Sequence, residues 1–396
     1  MKTYLESSPM DNPKKTKKQR IESIDILRGF ALIGILFANI LWFSGYLDST
    51  AELRDQQLNT SLADGVVLYL TRLLVHGKFY FIYSFLFGLG FYILYSRTKI
   101  QGRAFNLYFL KRQVILLIIG CVHAFFIWWG DILRYYALVG MVMLLIKDWS
   151  PARLLQLSVT LLFMPLILDL LHLFYGLSVE LSFAPDFSKG QILTQYLNGQ
   201  WFDANLIRVI MGLEGNLNTG RLLRILGMFV LGYYFGQMNF FSVTEANRTL
   251  QKRIMTFSLV VAFPAGLIKV GASYFDYGIS ESLKTAVMEF LYVVSVTGMA
   301  LGYIAMVAYF APGLQNSRPA IWLKTLGKVP LSNYLLQSVI GVLIFQVFDL
   351  FAKVPLTQAY ALSAGIIVVQ IYISSLWLKY RSQGPVEALW RKLASR

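Results

Sequence analysis

The chain of 396 residues holds a single cysteine, Cys121, and only three histidines, His76, His123 and His172. One cysteine makes no intrachain disulfide and no Cys-based metal cluster, and the scattered histidines lack zinc-ligand spacing, so no metal is expected. Acidic residues are scarce as well, 21 Asp and Glu against 36 Lys and Arg, for a formal charge of +15. That balance invites a nucleic-acid reading. The basic residues fall in short segments between apolar runs, however, as in membrane topology, and nucleic acid is not expected as a partner. No nucleotide-binding signature is present: GLGFY at 88–92 is a glycine pair within an apolar run and reads as close helix packing. No internal repeat is visible, which gives inverted-repeat transporter architecture no support. The first apolar run carries Arg28 near its start and no small-residue cleavage site follows it, so a span is expected there and not a cleaved signal.

What the chain has in abundance is apolar length. Its composition is 56% hydrophobic with a mean hydropathy of +0.56. Runs of about 20 residues, enough to cross a bilayer as helix, recur along it. The expected fold is all-α: a polytopic integral membrane protein embedded in a lipid bilayer. Ten crossings are expected, at about 24–44, 79–96, 113–129, 131–146, 153–175, 222–239, 254–272, 286–310, 329–348 and 357–378. Most Lys and Arg then lie on one side, which puts both termini in the cytoplasm. Residues 1–23, with Lys14, Lys15, Lys17, Lys18 and Arg20, form a basic cytoplasmic tail, 24–380 one transmembrane domain, and 381–396 an amphipathic cytoplasmic tail. The stretch 65–75 reads as an interfacial helix before span two. The longest loop, 176–220, carries Glu180, Asp186, Asp203 and Glu214 and has the length at which loops are often functional.

The richest stretch for chemistry is Leu116–Leu144, two apolar helices joined at Trp128-Trp129-Gly130-Asp131. His123 lies in the first helix, Asp131 opens the second, and Arg134 follows one turn in. Ionisable groups inside membrane segments are costly and usually functional. Asp131 as a helix cap, Arg134 as its neutraliser and His123 as a packing donor is the plainer account of each residue alone. All three at one face favour a site. Asn39, near the outer end of span one, stands at similar depth. A carboxylate that fixes an imidazole tautomer is what a histidine general base needs. His76 and Lys78 join this layer if the 65–75 helix is external, though an ordinary interfacial side chain accounts for His76.

A second polar level lies at the inner face. Asp25 and Arg28, three apart, share a helical face and can pair. Arg28, Arg112, Lys324 and Lys328 are cytoplasmic-side cations that suit a phosphorylated ligand, while snorkelling to headgroups explains Arg28 more cheaply. Between the levels, Asn333 and Gln337 share one face of LGKVPLSNYLLQS, as substrate contacts or as interhelical hydrogen-bond glue.

Five blocks, IDILRGFALIGILFANI, KFYFIYSFLFGLGFYI, HAFFIWWGDILRYYALVGM, LGKVPLSNYLLQS and GPVEALWRKL, resemble the bacterial YeiB-like membrane proteins from about residue 24 to 393. Those proteins are in turn similar to the transmembrane acyltransferase superfamily, whose members move an acyl group from cytoplasmic acyl-CoA to an acceptor across the membrane. The resemblance implies a multi-pass protein of the bacterial cytoplasmic membrane. It also implies an acyl-CoA donor and a small-molecule, glycan or lipid acceptor. The shared mark is Arg28-Gly29 and the apolar run to Asn39. In the O-acetyltransferase branch a histidine stands at the Asn39 position. The glucosamine acetyltransferase branch has asparagine there with a histidine soon after, and this chain has none between Asn39 and His76.

In the acyltransferase reading His123 is the base, Asp131 its orienter and Asn39 a donor to the oxyanion. Arg28, Arg112 and Lys328 hold the donor, and Arg134, Asn333 and Gln337 contact the acceptor. A transporter with an Asp131–Arg134 gate pair, and a non-catalytic membrane assembly protein, are the alternatives.

Overall fold

The computed structural model describes residues 22–100, 104–177, 181–272, 278 and 280–395, with main chain alone for 97–100. The basic cluster between Lys14 and Arg20, and Glu180, lie outside the described residues. Every regular element among the described residues is helical. The chain opens with α1 (Glu22–Phe43), α2 (Ala51–Leu53), α3 (Leu62–Leu70), α4 (Lys78–Ile100), α5 (Phe105–Phe126) and α6 (Leu133–Ile146). It continues through α7 (Pro151–Tyr175), α8 (Lys189–Leu197), α9 (Trp201–Asn218), α10 (Arg221–Gln237), α11 (Glu245–Phe257) and α12 (Phe263–Ala272). The remainder is α13 (Glu281–Tyr292), α14 (Gly298–Leu314), α15 (Arg318–Lys328), α16 (Pro330–Val342), α17 (Leu356–Tyr380) and α18 (Pro385–Ala394).

Among the described residues, eight helical segments are long and apolar enough to cross a membrane. The chain is an all-α, multi-pass membrane protein. The expected fourth and sixth spans are the shorter α6 and α10, of 14 and 17 residues. At 1.5 Å per residue they reach about 21 and 26 Å, short of the ~30 Å hydrocarbon core. Both pack within the bundle, where Tyr136, Met143, Met228 and Tyr233 are fully buried. Apolar side chains such as Ile118, Val122, Val260 and Val368 point outward instead, as a bilayer-facing surface requires.

Two backbone contacts set the frame. A Cβ on Gly29 would stand 1.9 Å from the Leu323 carbonyl oxygen, and one on Gly327 1.8 Å from that of Asp25. Only glycine lets α1 and α15 touch main chain to main chain, which places Arg28 beside Lys328. Gly88 plays the same part between α4 and α10, as the GLGFY reading expected, whereas Gly90 is open to a cavity.

The 62–75 helix is not a surface strap. Its last turn, Thr71–Val75, is a wider π-turn, and the Thr71 hydroxyl bonds Tyr360 of α17 at 2.6 Å while Tyr303 of α14 donates to the Leu74 carbonyl at 3.1 Å. Asp64 receives the Thr357 N–H at 2.9 Å. Polar bonds to two other helices hold it within the bundle.

The 176–220 loop is also more ordered than its composition suggests. Its α8 starts with a capping box at Ser188 and Gln191, and a small core of Ile192, Leu193, Tyr196, Ala204 and Phe351 fastens it. In α18, Val386 and Trp390 pack against the main core, so the amphipathic 381–396 segment is docked through its apolar face.

Candidate functional site

α5 ends at Phe126 and α6 starts at Leu133, so the Trp128–Asp131 turn falls where the sequence puts it. His123 and Asp131, eight residues apart, are folded onto each other: His123 Nδ1 lies 2.7 Å from Asp131 Oδ2, with both side chains buried. The other oxygen, Oδ1, accepts the Arg134 backbone N–H at 2.9 Å. Gly120 makes this approach possible, since a Cβ there would stand 2.5 Å from the Arg134 nitrogen. With Nδ1 donating to the carboxylate, Nε2 of His123 is left as the acceptor nitrogen. It is buried and has no hydrogen-bond partner. Tyr334 packs against the imidazole, ring centres 5.4 Å apart, and its hydroxyl accepts the Ile132 N–H at 3.3 Å.

Arg134 takes a different part from the one expected. Its guanidinium donates to the Tyr135 hydroxyl at 3.0 Å and lies over that ring, and no Asp131–Arg134 side-chain ion pair forms among the described residues. The link between them is the backbone N–H, so the gate pair of the transport reading is not assembled.

The turn is gripped from above by α9. Asn205 accepts the Trp129 N–H at 2.7 Å and donates to the Ala124 and Phe125 carbonyls at 2.9 and 3.1 Å. Those carbonyls are free acceptors at the end of α5, and one buried amide satisfies them together with the turn. Beside it, Arg208 pairs with Asp48 between the Trp42 and Trp129 rings. Burial pulls the Arg208 pKa down to about 10, which leaves it charged at neutral pH.

A cavity of 1290 Å³ runs through the bundle. One end is charged, with Asp25, Arg28, Arg112, Lys328, Arg391 and Lys392 on its wall; the other carries Ile132, Leu133, Tyr136 and Tyr334. The sequence reading anticipated Arg28, Arg112 and Lys328 here. Arg28 bonds Asp25 at 3.1 Å, as their spacing suggested, and Arg112 lies 4.0 Å from the Trp390 ring centre. Lys324 is instead bonded to Glu22 at 3.1 Å. His123 does not line the cavity; Tyr334 and Ile132 stand between.

Arg391 and Lys392 are not among the expected site residues, because 381–396 reads in the sequence as an amphipathic tail. Glu387 holds it in place. Its carboxylate accepts the Leu331 and Ser332 N–H groups at 2.8 and 3.2 Å, and the Ser332 hydroxyl as well. These are orphan donors of the first turn of α16, after Pro330, which has no N–H. The amphipathic GPVEALWRKL pattern was the available signal.

The remaining expected site residues lie elsewhere. Asn333 exchanges hydrogen bonds with Ser374 at 3.0 and 3.2 Å, and Gln337 donates to Gln370 at 3.0 Å, so both tie α16 to α17. Asn39 is half-buried on α1 and has no hydrogen bond to the His123–Asp131 pair.

Fold and cavity together define a helical, multi-pass membrane protein with a cationic chamber that ends beside a buried His–Asp pair. Residues 235–396 match the family described as "Protein of unknown function (DUF418)". The chain is 28% identical to the uncharacterized protein YxaH of Bacillus subtilis (strain 168) over 94% of each chain. It is 26% identical to the uncharacterized protein YeiB of Escherichia coli (strain K12), over 96% of this chain and 97% of that one. The resemblance to YeiB-like proteins therefore runs almost end to end. The DUF418 match takes in Lys328, Tyr334 and Glu387, while Arg28, His123 and Asp131 fall in the wider alignments.

Proposed function

We propose that this protein transfers an acyl group from a cytoplasmic acyl-CoA to a small-molecule, glycan or lipid acceptor at the outer face of the bacterial cytoplasmic membrane. The observation that carries this reading is the cavity itself, cationic at one end and bounded near the His123–Asp131 pair at the other. Arg28, Arg112, Lys328, Arg391 and Lys392 suit the phosphates of the donor, and the apolar wall suits the acyl chain. The acceptor O–H or N–H gives its proton to His123 Nε2 as its oxygen or nitrogen attacks the thioester carbonyl, and CoA leaves as the thiolate. Asp131 holds the Nδ1 proton and stabilises the imidazolium. Tyr334 has to move aside for the acceptor to reach Nε2. The oxyanion role of Asn39 rests on the resemblance alone. A transport reading draws on one observation, that Tyr334 and Ile132 separate His123 from the cavity.

The test is incubation of the purified protein in nanodiscs with radiolabelled acetyl-CoA and a membrane extract of acceptors. Release of CoA with label passing to an acceptor, lost in His123→Gln, supports transfer. Binding without release over hours, at donor concentrations that saturate, would sink it.

A further inference from the structure

A second polar cluster lies apart from the cavity, where the break between α3 and α4 meets the first turn of α10 and the helices α12 and α13. The π-turn Thr71–Val75 ends at His76, Gly77 takes φ +85°, and the helix restarts at Lys78. Lys78 is 2% exposed, and its ammonium donates to the Arg72 carbonyl oxygen at 3.1 Å. From α10 come Arg221, 4.6 Å from the Tyr80 ring centre, and Arg224, 4.9 Å from that of Tyr292. From α12 comes Lys269, its Nζ 5.4 Å from the same Tyr292 ring. The Tyr80 and Tyr292 hydroxyls are hydrogen-bonded to each other at 2.9 Å. Tyr292 directly precedes a second π-turn, Val293–Thr297. Single π-turns inside helices recur at functional sites.

Charge is out of balance here. Glu289 pairs with Arg224, and among the described residues it is the one carboxylate in ion-pair contact with Lys78, Arg221, Arg224 or Lys269. Asp169 of α7 acts on Arg224 from beyond that range. Arg72 is engaged in interactions of its own. Buried like charges repel strongly where the dielectric is low. Two further observations point the same way. Arg224 is 6% exposed and its Nε has no hydrogen-bond partner. Both arginines also lie in the first turn of α10, which has no side-chain cap and whose dipole favours negative charge at that end.

From these observations we infer that the cluster is a binding site for a phosphate group. Two planar guanidiniums suit paired phosphate oxygens and two ammonium groups supply compact charge, a set matched to a dianion. The tyrosine pair forms a wall and offers hydroxyl donors. The site does not depend on the acyl-transfer reading, because Lys78, Arg221, Arg224 and Lys269 take no part in the cavity. The phosphate belongs to a lipid headgroup or to free phosphate, and the same experiment tells these apart.

The full chain in phosphatidylcholine nanodiscs is titrated with radiolabelled inorganic phosphate and, separately, with dioctanoyl phosphatidic acid, using dioctanoyl phosphatidylcholine and matched chloride as controls. Saturable binding of inorganic phosphate identifies a free-phosphate site, and saturation by phosphatidic acid alone a headgroup site. Arg221→Gln and Lys269→Gln should each weaken binding about tenfold, the worth of one charged hydrogen bond. Among the described residues neither Arg221 nor Lys269 forms an ion pair, so both variants should unfold at the wild-type temperature, and Arg221→Lys serves if Arg221→Gln does not fold. Binding no greater than in the controls, or folded variants that bind as wild type, would overturn the proposal.

Discussion

Asp131 divides its carboxylate between two partners: Oδ2 meets His123 Nδ1 at 2.7 Å, and Oδ1 accepts the Arg134 backbone N–H at 2.9 Å. Cap and tautomer-setter are one side chain, and the two duties separate by mutation. Asp131→Asn retains an oxygen for the cap but turns an amide N–H toward Nδ1, which moves the imidazole proton to Nε2. Folding should change little, while turnover in the acyl-transfer assay should fall by about a hundred- to ten-thousand-fold. Asp131→Ala should in addition lose about 1 kcal/mol of capping and ~1–3 kcal/mol for the buried imidazole left unpaired. Paired thermal unfolding and CoA-release measurements decide it, and equal behaviour of the two variants would show that the duties do not separate.

Glu387 is predicted to hold the charged end of the cavity together. Glu387→Ala uncovers two N–H groups of α16 and should cost about 1–2 kcal/mol. It should also free α18, seen as faster proteolysis in the 381–384 linker. Glu387→Gln, which keeps an acceptor oxygen, should lie between Ala and wild type.

Glycine substitutions should have opposite signs at two positions. Gly327→Ala drives a Cβ against the main chain of α1, which has no side chain to yield, and should cost about 3 kcal/mol or more. Gly90 has nothing within 4 Å of an added Cβ. Gly90→Ala should therefore stabilise α4 by about 0.5–1 kcal/mol. Unfolding temperatures in one detergent compare the two directly.

Asn205→Asp keeps the acceptor for Trp129 but loses both donors to the end of α5. It should destabilise by about 2–3 kcal/mol, more than Asn205→Ala, because a buried charge then faces two carbonyl oxygens. If the order is reversed, α9 is not fastened through this amide.

The sidedness follows from the charge count. A reporter fused after Trp149 should be read in the cytoplasm, and one near Asp186 outside. A cytoplasmic signal from Asp186 would place His123 and Asp131 toward the inner face and remove the acceptor side from the proposal.

The spans were legible because apolar length is a local property, and the His123–Asp131 pair was legible because one tight turn brings together residues eight apart. Contacts across long stretches of chain were not. Glu387 caps donors 56 and 55 residues earlier, and Asn205 serves carbonyls 81 and 80 residues earlier. No periodicity in the sequence announces such partners. Asn333 and Gln337 were correctly set on one helical face, yet the sequence does not show that Ser374 and Gln370 lie opposite. Arg134 was expected to neutralise Asp131; the backbone N–H already supplies that contact, and the guanidinium turns to the aromatic ring beside it.

The cap on α16 also has a consequence for biosynthesis. Glu387 leaves the ribosome 56 residues after Leu331. At about 5–20 residues per second, that is a wait of roughly 3–11 s. For that time α16 enters the membrane with its first N–H groups open, and the charged end of the chamber cannot close until translation has passed Glu387. A stalled or slowed ribosome over this last stretch would leave a protein that is inserted but unsealed, and exposed to quality-control proteases at its cytoplasmic end.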